Sequence, residues 1–311
     1  MKRNAVIAAL FMFTAAFVFS IAAESQVGVF SKEDMFAYTP EWKGERFSDG
    51  RPKVPESIIK RMEKVAIEEA WSVLRRYGYN HQFEGGWVVS DDDPVVTGRA
   101  VTACYFPKRP DVDKVILEKG KREGRIGATN SWIIDTLVEG DVIVVDIFGK
   151  VVNGTFLGDN LANSINTKSG GTGVIVDGGS RDIEGVMEVE GFPVFTRGWD
   201  PSFLTDVMLM CINAPVRIGA VAVMPGDIVL GKKEGVIFIP AHLAEEVVDT
   251  SEIVRLRDEF GHQRLREGKY TPGQIDAKWN DTIEKDFTAW MKAKGAEFTP
   301  SQKKLLESRT W

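Results

Sequence analysis

Asp159, Arg181 and Asp182 stand at the two ends of one stretch, GDNLANSINTKSGGTGVIVDGGSRD, which runs from Gly158 to Asp182. An aspartate is a hard oxygen ligand for Mg²⁺ or Mn²⁺, and sites for these ions commonly use one or two carboxylates, with water and substrate filling the other positions. An arginine is a planar donor that grips a carboxylate bidentately and keeps its proton. Held together, such groups suit a 2-oxo acid: a metal polarises its carbonyl, the guanidinium fixes its carboxylate, and an enolate forming at the neighbouring carbon is stabilised.

Those residues need elements that bring them to one place. Leu161, Ala162 and Ile165 are spaced for a short helix. Gly170, Gly171 and Gly173 break it, and Val174-Ile175-Val176 forms a strand that ends in the turn Asp177-Gly178-Gly179. If the helix folds back so that this strand runs beside the segment ending at Gly158, both polar ends finish on the same rim. The bland alternative for Arg181 and Asp182 is an ion pair capping a turn. Adjacent residues rarely face each other in a strand, however, and that alternative leaves Asp159 unexplained.

Other chemistries lack their patterns. Ser169-Gly170-Gly171-Thr172-Gly173 precedes a strand and has no Lys-Ser/Thr ending, so it is not a phosphate loop. No Gly-rich loop of methyltransferase type follows an early strand. His81, His242 and His262 have no zinc spacing, and Ser180 is not in a nucleophile elbow.

The stretch resembles the signature of the family that contains the regulator of ribonuclease activity A (RraA) and the metal-dependent 4-hydroxy-4-methyl-2-oxoglutarate aldolases, whose members are often mislabelled demethylmenaquinone methyltransferases. The family pattern is Gly-Asp/Glu, a spacer of about twenty residues, then Asp-Gly-x-x-Arg-Asp. Asp177-Gly178-Gly179-Ser180-Arg181-Asp182 matches its fixed positions. Thr97-Gly98-Arg99-Ala100-Val101-Thr102 resembles the early strand, and Met224-Pro225-Gly226-Asp227 with Gly235-Val236-Ile237-Phe238-Ile239-Pro240 resembles the closing hairpin, so the likeness spans roughly residues 60 to 245. One departure stands out. Residues 160 to 180 make the spacer one residue longer than usual, and Lys168-Ser169-Gly170-Gly171 replaces its customary Arg-Gly. A loop absorbs one glycine easily, so the rim is expected to survive while the neighbouring pocket differs.

The resemblance implies a compact, layered α/β fold of αββα type and a carbon–carbon lyase that releases pyruvate from a 4-hydroxy-2-oxo acid, with oxaloacetate decarboxylation from the same enolate. It implies that Asp182 binds Mg²⁺ or Mn²⁺, that Arg181 holds the carboxylate and carbonyl end of a pyruvate moiety, and that Asp159 orients a metal-bound water for proton transfer. Gly158, Asn160 and Leu161 would offer backbone amides to the substrate carboxylate. It implies a homotrimer or hexamer whose neighbouring subunit completes the site. Two alternatives stay open: a non-catalytic regulator acting by protein contact, and a lyase for an oxidised sugar or sugar acid.

Around this core, residues 1–23 pair a basic start (Lys2, Arg3) with an apolar run and small residues at Ser20, Ala22 and Ala23. They read as a secretory signal peptide, with an uncleaved anchor as the competing reading. Export to a periplasmic or extracellular location, with no stable membrane span after cleavage, is the expectation. Residues 24–55 read as a polar linker or surface arm, 56–245 as the catalytic domain and 246–311 as a helical extension. Pro55 to Tyr77 reads as one amphipathic helix. Many short strands follow, with few long helices between them, which argues for stacked sheets and not a barrel of βα units. The net charge of −6 gives no basic footprint for nucleic acid, and the hydrophobic fraction of 43% supports a real core. Cys104 and Cys211 sit in separate apolar contexts and read as two separately buried thiols, with pairing in an oxidising compartment as the alternative. Gly140-Asp141 and Gly226-Asp227 each read as a turn leading into a buried strand, Asp91-Asp92-Asp93 as a solvated turn, and Arg197 as either a turn residue or a substrate contact.

Overall fold

The structure, a computed structural model, describes residues 30–308, so the segment read as a signal peptide lies outside the described residues. Three helices come first: α1 (Lys32–Tyr38), α2 (Glu56–Met62) and α3 (Ile67–Arg76). The short strands β1 (Phe83–Glu84) and β2 (Val88–Val89) lead to β3 (Val96–Pro107), and helices α4 (Pro110–Arg122) and α5 (Thr129–Ile134) lead on to β4 (Asp141–Thr155). Then come α6 (Asp159–Ser169), β5 (Val174–Ser180), α7 (Ile183–Met187), β6 (Val194–Trp199), β7 (Val207–Ile212), the hairpin β8 (Val216–Ile218) and β9 (Val221–Val223), and the hairpin β10 (Ile228–Lys232) and β11 (Gly235–Ile239). The chain ends in α8 (Ala244–Arg266), α9 (Pro272–Ile275), α10 (Asp281–Lys294) and α11 (Pro300–Ser308).

β3, β4, β5 and β6 are parallel neighbours, which requires a crossover between each pair, and α4 with α5, α6, and α7 supply them. The apolar runs of β4 and β5 are buried on both faces, as the middle of a parallel sheet demands. The sheet continues antiparallel in the order β1-β11-β10-β3 at one end and β6-β2 at the other, while β7 pairs with the far half of β3. Alternation along the strands sorts the core into layers. Val101, Ile143 and Val176 face α5 and α6. Ala100, Val144 and Ile175 face inward and share one cluster with Val229, Val236 and Phe238 and with the β8–β9 hairpin. The opposite faces of β10 and β11, through Leu230 and Ile237, pack on α2, α3 and α8. The sheet therefore curls over its own inner face with helices outside both halves, the expected αββα layering.

Four local readings change. The helix expected over Pro55–Tyr77 is two helices, broken between Met62 and Ile67, with Met62 and Val65 both buried at the bend. The crossover helices α4 and α5 were not anticipated, because Pro110–Arg122 is mostly charged on its outer face and buries only Asp113, Ile116 and Gly120. The arm before α2 is seated on the core: Arg51 is buried and reaches both oxygens of Asp141 at 3.3 Å. Cys104 and Cys211 are register partners on β3 and β7 and belong to the same side of the sheet, so they face each other and are not separately buried.

Candidate functional site

β4, α6 and β5 form one βαβ unit. The chain leaves β4, passes Phe156-Leu157-Gly158, runs back along α6 and returns through β5 beside its starting strand. The ladder extends beyond the regular strands, with Phe156 N–H donating to Gly179 C=O at 2.8 Å and Arg181 N–H to Leu157 C=O at 3.0 Å. Gly158 and Arg181 thus emerge side by side at the carboxyl ends of neighbouring parallel strands, the rim where open α/β sheets place ligands. The expected meeting of the signature's two ends on one rim is present in the backbone.

Asp182 adopts a left-handed conformation, with φ 57° and ψ 46°. Few residues other than glycine accept this region, and Asp and Asn are among those that do most readily. The conformation turns the carboxylate back over Gly158, where a Cβ would overlap Asp182 Oδ2. Arg181 Nη1 lies 3.0 Å from that same oxygen, and the guanidinium stacks over Phe203, 4.9 Å from the ring centre. Asp159 begins α6 at Gly158's other flank, with its Cβ and carboxylate against Gly185 of α7. The carboxylates of Asp159 and Asp182 therefore flank one turn. The Arg181 and Asp182 side chains are 33% and 39% exposed, so the arrangement is an open rim.

The backbone donors divide unevenly. Gly158 gives α6 no side-chain cap, which leaves first-turn N–H groups pointing outward at the positive end of the helix. Asn160 N–H is taken by Asp159 Oδ1 at 2.7 Å, so of the three amides expected to receive a carboxylate, those of Gly158 and Leu161 are the ones Asp159 leaves free. Beneath the rim, Ser180 Oγ and Trp199 Nε1 sit on partnered positions of β5 and β6, and neither finds a hydrogen-bond partner.

Arg197 is committed to contacts within the fold. Its guanidinium donates to Asp177 Oδ1 at 2.6 Å, Glu84 Oε1 at 2.8 Å and Gly85 C=O at 2.8 Å, and lies 3.8 Å over Trp87. Asp177, the first residue of the Asp-Gly-x-x-Arg-Asp run, serves this knot and Gly219 N–H, so within that run it is structural. Among the described residues no group of three or more His, Cys, Asp or Glu is placed to hold a metal ion. A closed protein cage of the zinc type is thereby excluded for these residues. The donor set at the rim, one half-exposed carboxylate with a second nearby and open space around them, fits a magnesium-type ion that keeps most of its waters.

Fold, signature and rim together define an RraA-type protein. The chain belongs to the RraA-like family, whose model, described as Aldolase/RraA, matches residues 64–238. It is 30% identical over 145 residues to an uncharacterised protein of Methanocaldococcus jannaschii, covering 45% of this chain and 69% of that protein. It is 33% identical over 120 residues to a protein of Halalkalibacterium halodurans provisionally named a 4-hydroxy-4-methyl-2-oxoglutarate aldolase, covering 39% of this chain and 56% of that one. The match therefore spans a little over half the length of that relative. Among solved structures, the fold matches RraAS2 of Streptomyces coelicolor, described as an unusual member of the RNase ES inhibitor RraA protein family. That match has a TM-score of 0.58 and 27% identity, and covers 69% of this chain and 98% of that one. An uncharacterised protein of Pseudomonas syringae has the same fold, with a TM-score of 0.58 at 22% identity.

Proposed function

We propose that the chain is a divalent-metal-dependent lyase that cleaves a 4-hydroxy-2-oxo acid to release pyruvate. The single observation that carries this reading is the seating of the Asp182 carboxylate on Gly158 beside Arg181, at the open end of α6. Family membership and the provisional name of the Halalkalibacterium halodurans relative support it.

In this reading Asp182 holds Mg²⁺ or Mn²⁺, which when bound supplies Lewis acidity at the substrate's 2-oxo group. Arg181 binds the pyruvate carboxylate, and Phe203 keeps its guanidinium plane in place by stacking. The Leu161 N–H at the start of α6 adds a donor for the same anion. Asp159 takes the proton from the 4-hydroxyl as the carbon–carbon bond breaks and returns one to the methylene carbon of the released pyruvate. Decarboxylation of oxaloacetate needs the same binding and the same proton return. Export of the chain belongs to this proposal, and would present the site to acids met outside the cytoplasm.

The test is pyruvate release from 4-hydroxy-4-methyl-2-oxoglutarate and from oxaloacetate, with Mg²⁺ or Mn²⁺ and with EDTA, in the wild type and in Asp182→Asn. Asparagine tolerates the left-handed backbone, so the variant keeps the turn and removes the charge. Turnover that depends on metal and vanishes in Asp182→Asn is the expected result. Metal binding without turnover of either compound would redirect the reading to another acid, such as an oxidised sugar. A second reading, a non-catalytic regulator acting by protein contact, is favoured by the openness of the rim and by the exposure of Phe203 beside it. Absence of metal binding would select it.

A further inference from the structure

The sheet contains an internal comparison. Gly140-Asp141 and Gly226-Asp227 make the same turn into a buried strand, and in each the aspartate's Oδ2 accepts the N–H of the residue three before it, Val138 at 3.1 Å and Met224 at 2.8 Å. Asp141 is then neutralised by Arg51 at 3.3 Å, with Arg99 3.7 Å away. Asp227 is also buried, at 5% exposed, yet its Oδ1 has no hydrogen bond and no ion pair among the described residues. A buried carboxyl with a free oxygen needs a donor, and in the sister turn that donor is a cation.

Asp227 opens on a cavity of about 310 Å³ between residues 38–42 of the arm and the corner after β11. Its aromatic lining comes from Tyr38, Trp42 and Tyr79, with His242 beside Tyr79 at 6.1 Å between ring centres. Glu41 adds a second carboxylate at the exposed mouth, and neither Lys nor Arg lines the space. Burial pushes the His242 imidazole below its usual range and the Tyr79 phenol above its own, so neither brings a competing charge at neutral pH. Two carboxylates and aromatic faces without a cation form a pocket complementary to a positive charge on an apolar body.

We propose that this cavity binds a small organic ammonium ion, its N–H groups on Asp227 Oδ1 and its apolar body against Trp42 and Tyr79. The ammonium takes the place that Arg51 occupies at Asp141. This site lies apart from the signature rim and does not depend on the lyase reading.

The probe is benzylamine, titrated calorimetrically into the full chain at pH 8, beside benzyl alcohol and tetramethylammonium. Saturable one-to-one binding of benzylamine is expected, weakened roughly tenfold or more in Asp227→Asn, because a charged hydrogen bond is lost. Benzyl alcohol lacks the charge and tetramethylammonium lacks the N–H, so each should bind more weakly by a similar factor. Asp182→Asn should leave benzylamine binding unchanged. No saturable binding, equal binding of the alcohol or of tetramethylammonium, or retention in Asp227→Asn would overturn the proposal, as would loss in Asp182→Asn. Should Asp227→Asn fail to fold, Trp42→Ala, at the partly exposed wall, carries the same expectation of weaker benzylamine binding, and an unchanged affinity there would equally overturn it.

Discussion

Gly158 and Asp182 constrain each other. The left-handed Asp182 can lay its carboxylate across the start of α6 only because residue 158 has no side chain. Gly158→Ala should therefore displace the carboxylate while leaving the core intact. A misplacement of this kind costs about a hundredfold in turnover, and pyruvate-release kinetics beside a urea unfolding curve would separate it from a loss of fold. The buried Arg51–Asp141 pair predicts the opposite balance. Arg51→Met leaves a carboxylate uncompensated in the core and should cost about 3–5 kcal/mol of stability; Arg51→Met combined with Asp141→Asn should recover part of it in the same urea measurement. Asp227 adds a pH signature, because burial pushes its carboxyl up to about 7. An acid whose folded pKa lies above its unfolded one binds more protons when folded, so stability is fullest below about 4, falls as pH rises to about 7, and is flat beyond. Wild type should lose on the order of a few kcal/mol across that window relative to Asp227→Asn, with Glu41, Tyr79 and His242 as the other titratable groups lining the same cavity. A parallel pH course for the two proteins in urea titrations would defeat this account. At this scale the sequence marked Asp159, Arg181 and Asp182 through the signature they match, and their meeting on one rim is a matter of the backbone ladder. It did not disclose what Arg51 and Arg197 do, since a partner 90 residues away in Asp141, or the knot of Asp177 and Glu84, leaves no local pattern.

Among the elements, apolar runs of β-branched residues announced β3, β4, β5, β10 and β11, and glycines marked their ends. Two signals were weaker. Pro110–Arg122 hides a crossover helix behind a charged surface, so the parallel order of β3 and β4 was not legible. Val207–Ile212, rich in Met and Leu and ending near Cys211, gave no alternation to mark it as a strand. Its pairing with β3 brings Cys104 and Cys211 face to face, next to the register shift between Cys104 and Tyr105. Opposed positions on antiparallel strands have the short Cβ separation a disulfide needs. With glutathione disulfide as oxidant, both thiols should be lost together to an alkylating probe, each giving its hydrogen to a released glutathione. Modification of one cysteine alone, with the other still titratable, would contradict the facing geometry. The extension behind α8 is likewise built and not merely appended: Phe260 packs against Trp279, Phe287 and Trp290 at 5.3 to 5.9 Å between ring centres. Phe260→Ala should cost about 3–5 kcal/mol and expose α10 and α11 to proteolysis before the sheet.

For the whole molecule, the question is what closes the rim. Arg181 and Asp182 are partly exposed, with Phe203 over Arg181 and Met187 at the end of α7, the short helix that follows Asp182. Met187 and Phe203 are 62% and 61% exposed, an unusual cost for large apolar side chains to bear together beside a polar site. A neighbouring subunit seated on this patch would bury them, exclude water from the rim and strengthen the Arg181 contact to an anion by lowering the local dielectric. The net charge of −6 must be accommodated in such an assembly, so added salt should favour it by screening repulsion between copies. Phe203→Glu then tests assembly and activity at once. Sedimentation should show the wild type as a trimer or hexamer and the variant shifted toward monomer, with turnover falling in the same proportion and recovering as protein concentration is raised. A wild-type monomer with full turnover would mean that a single chain suffices, and the exposed apolar rim would then have to be explained by another partner.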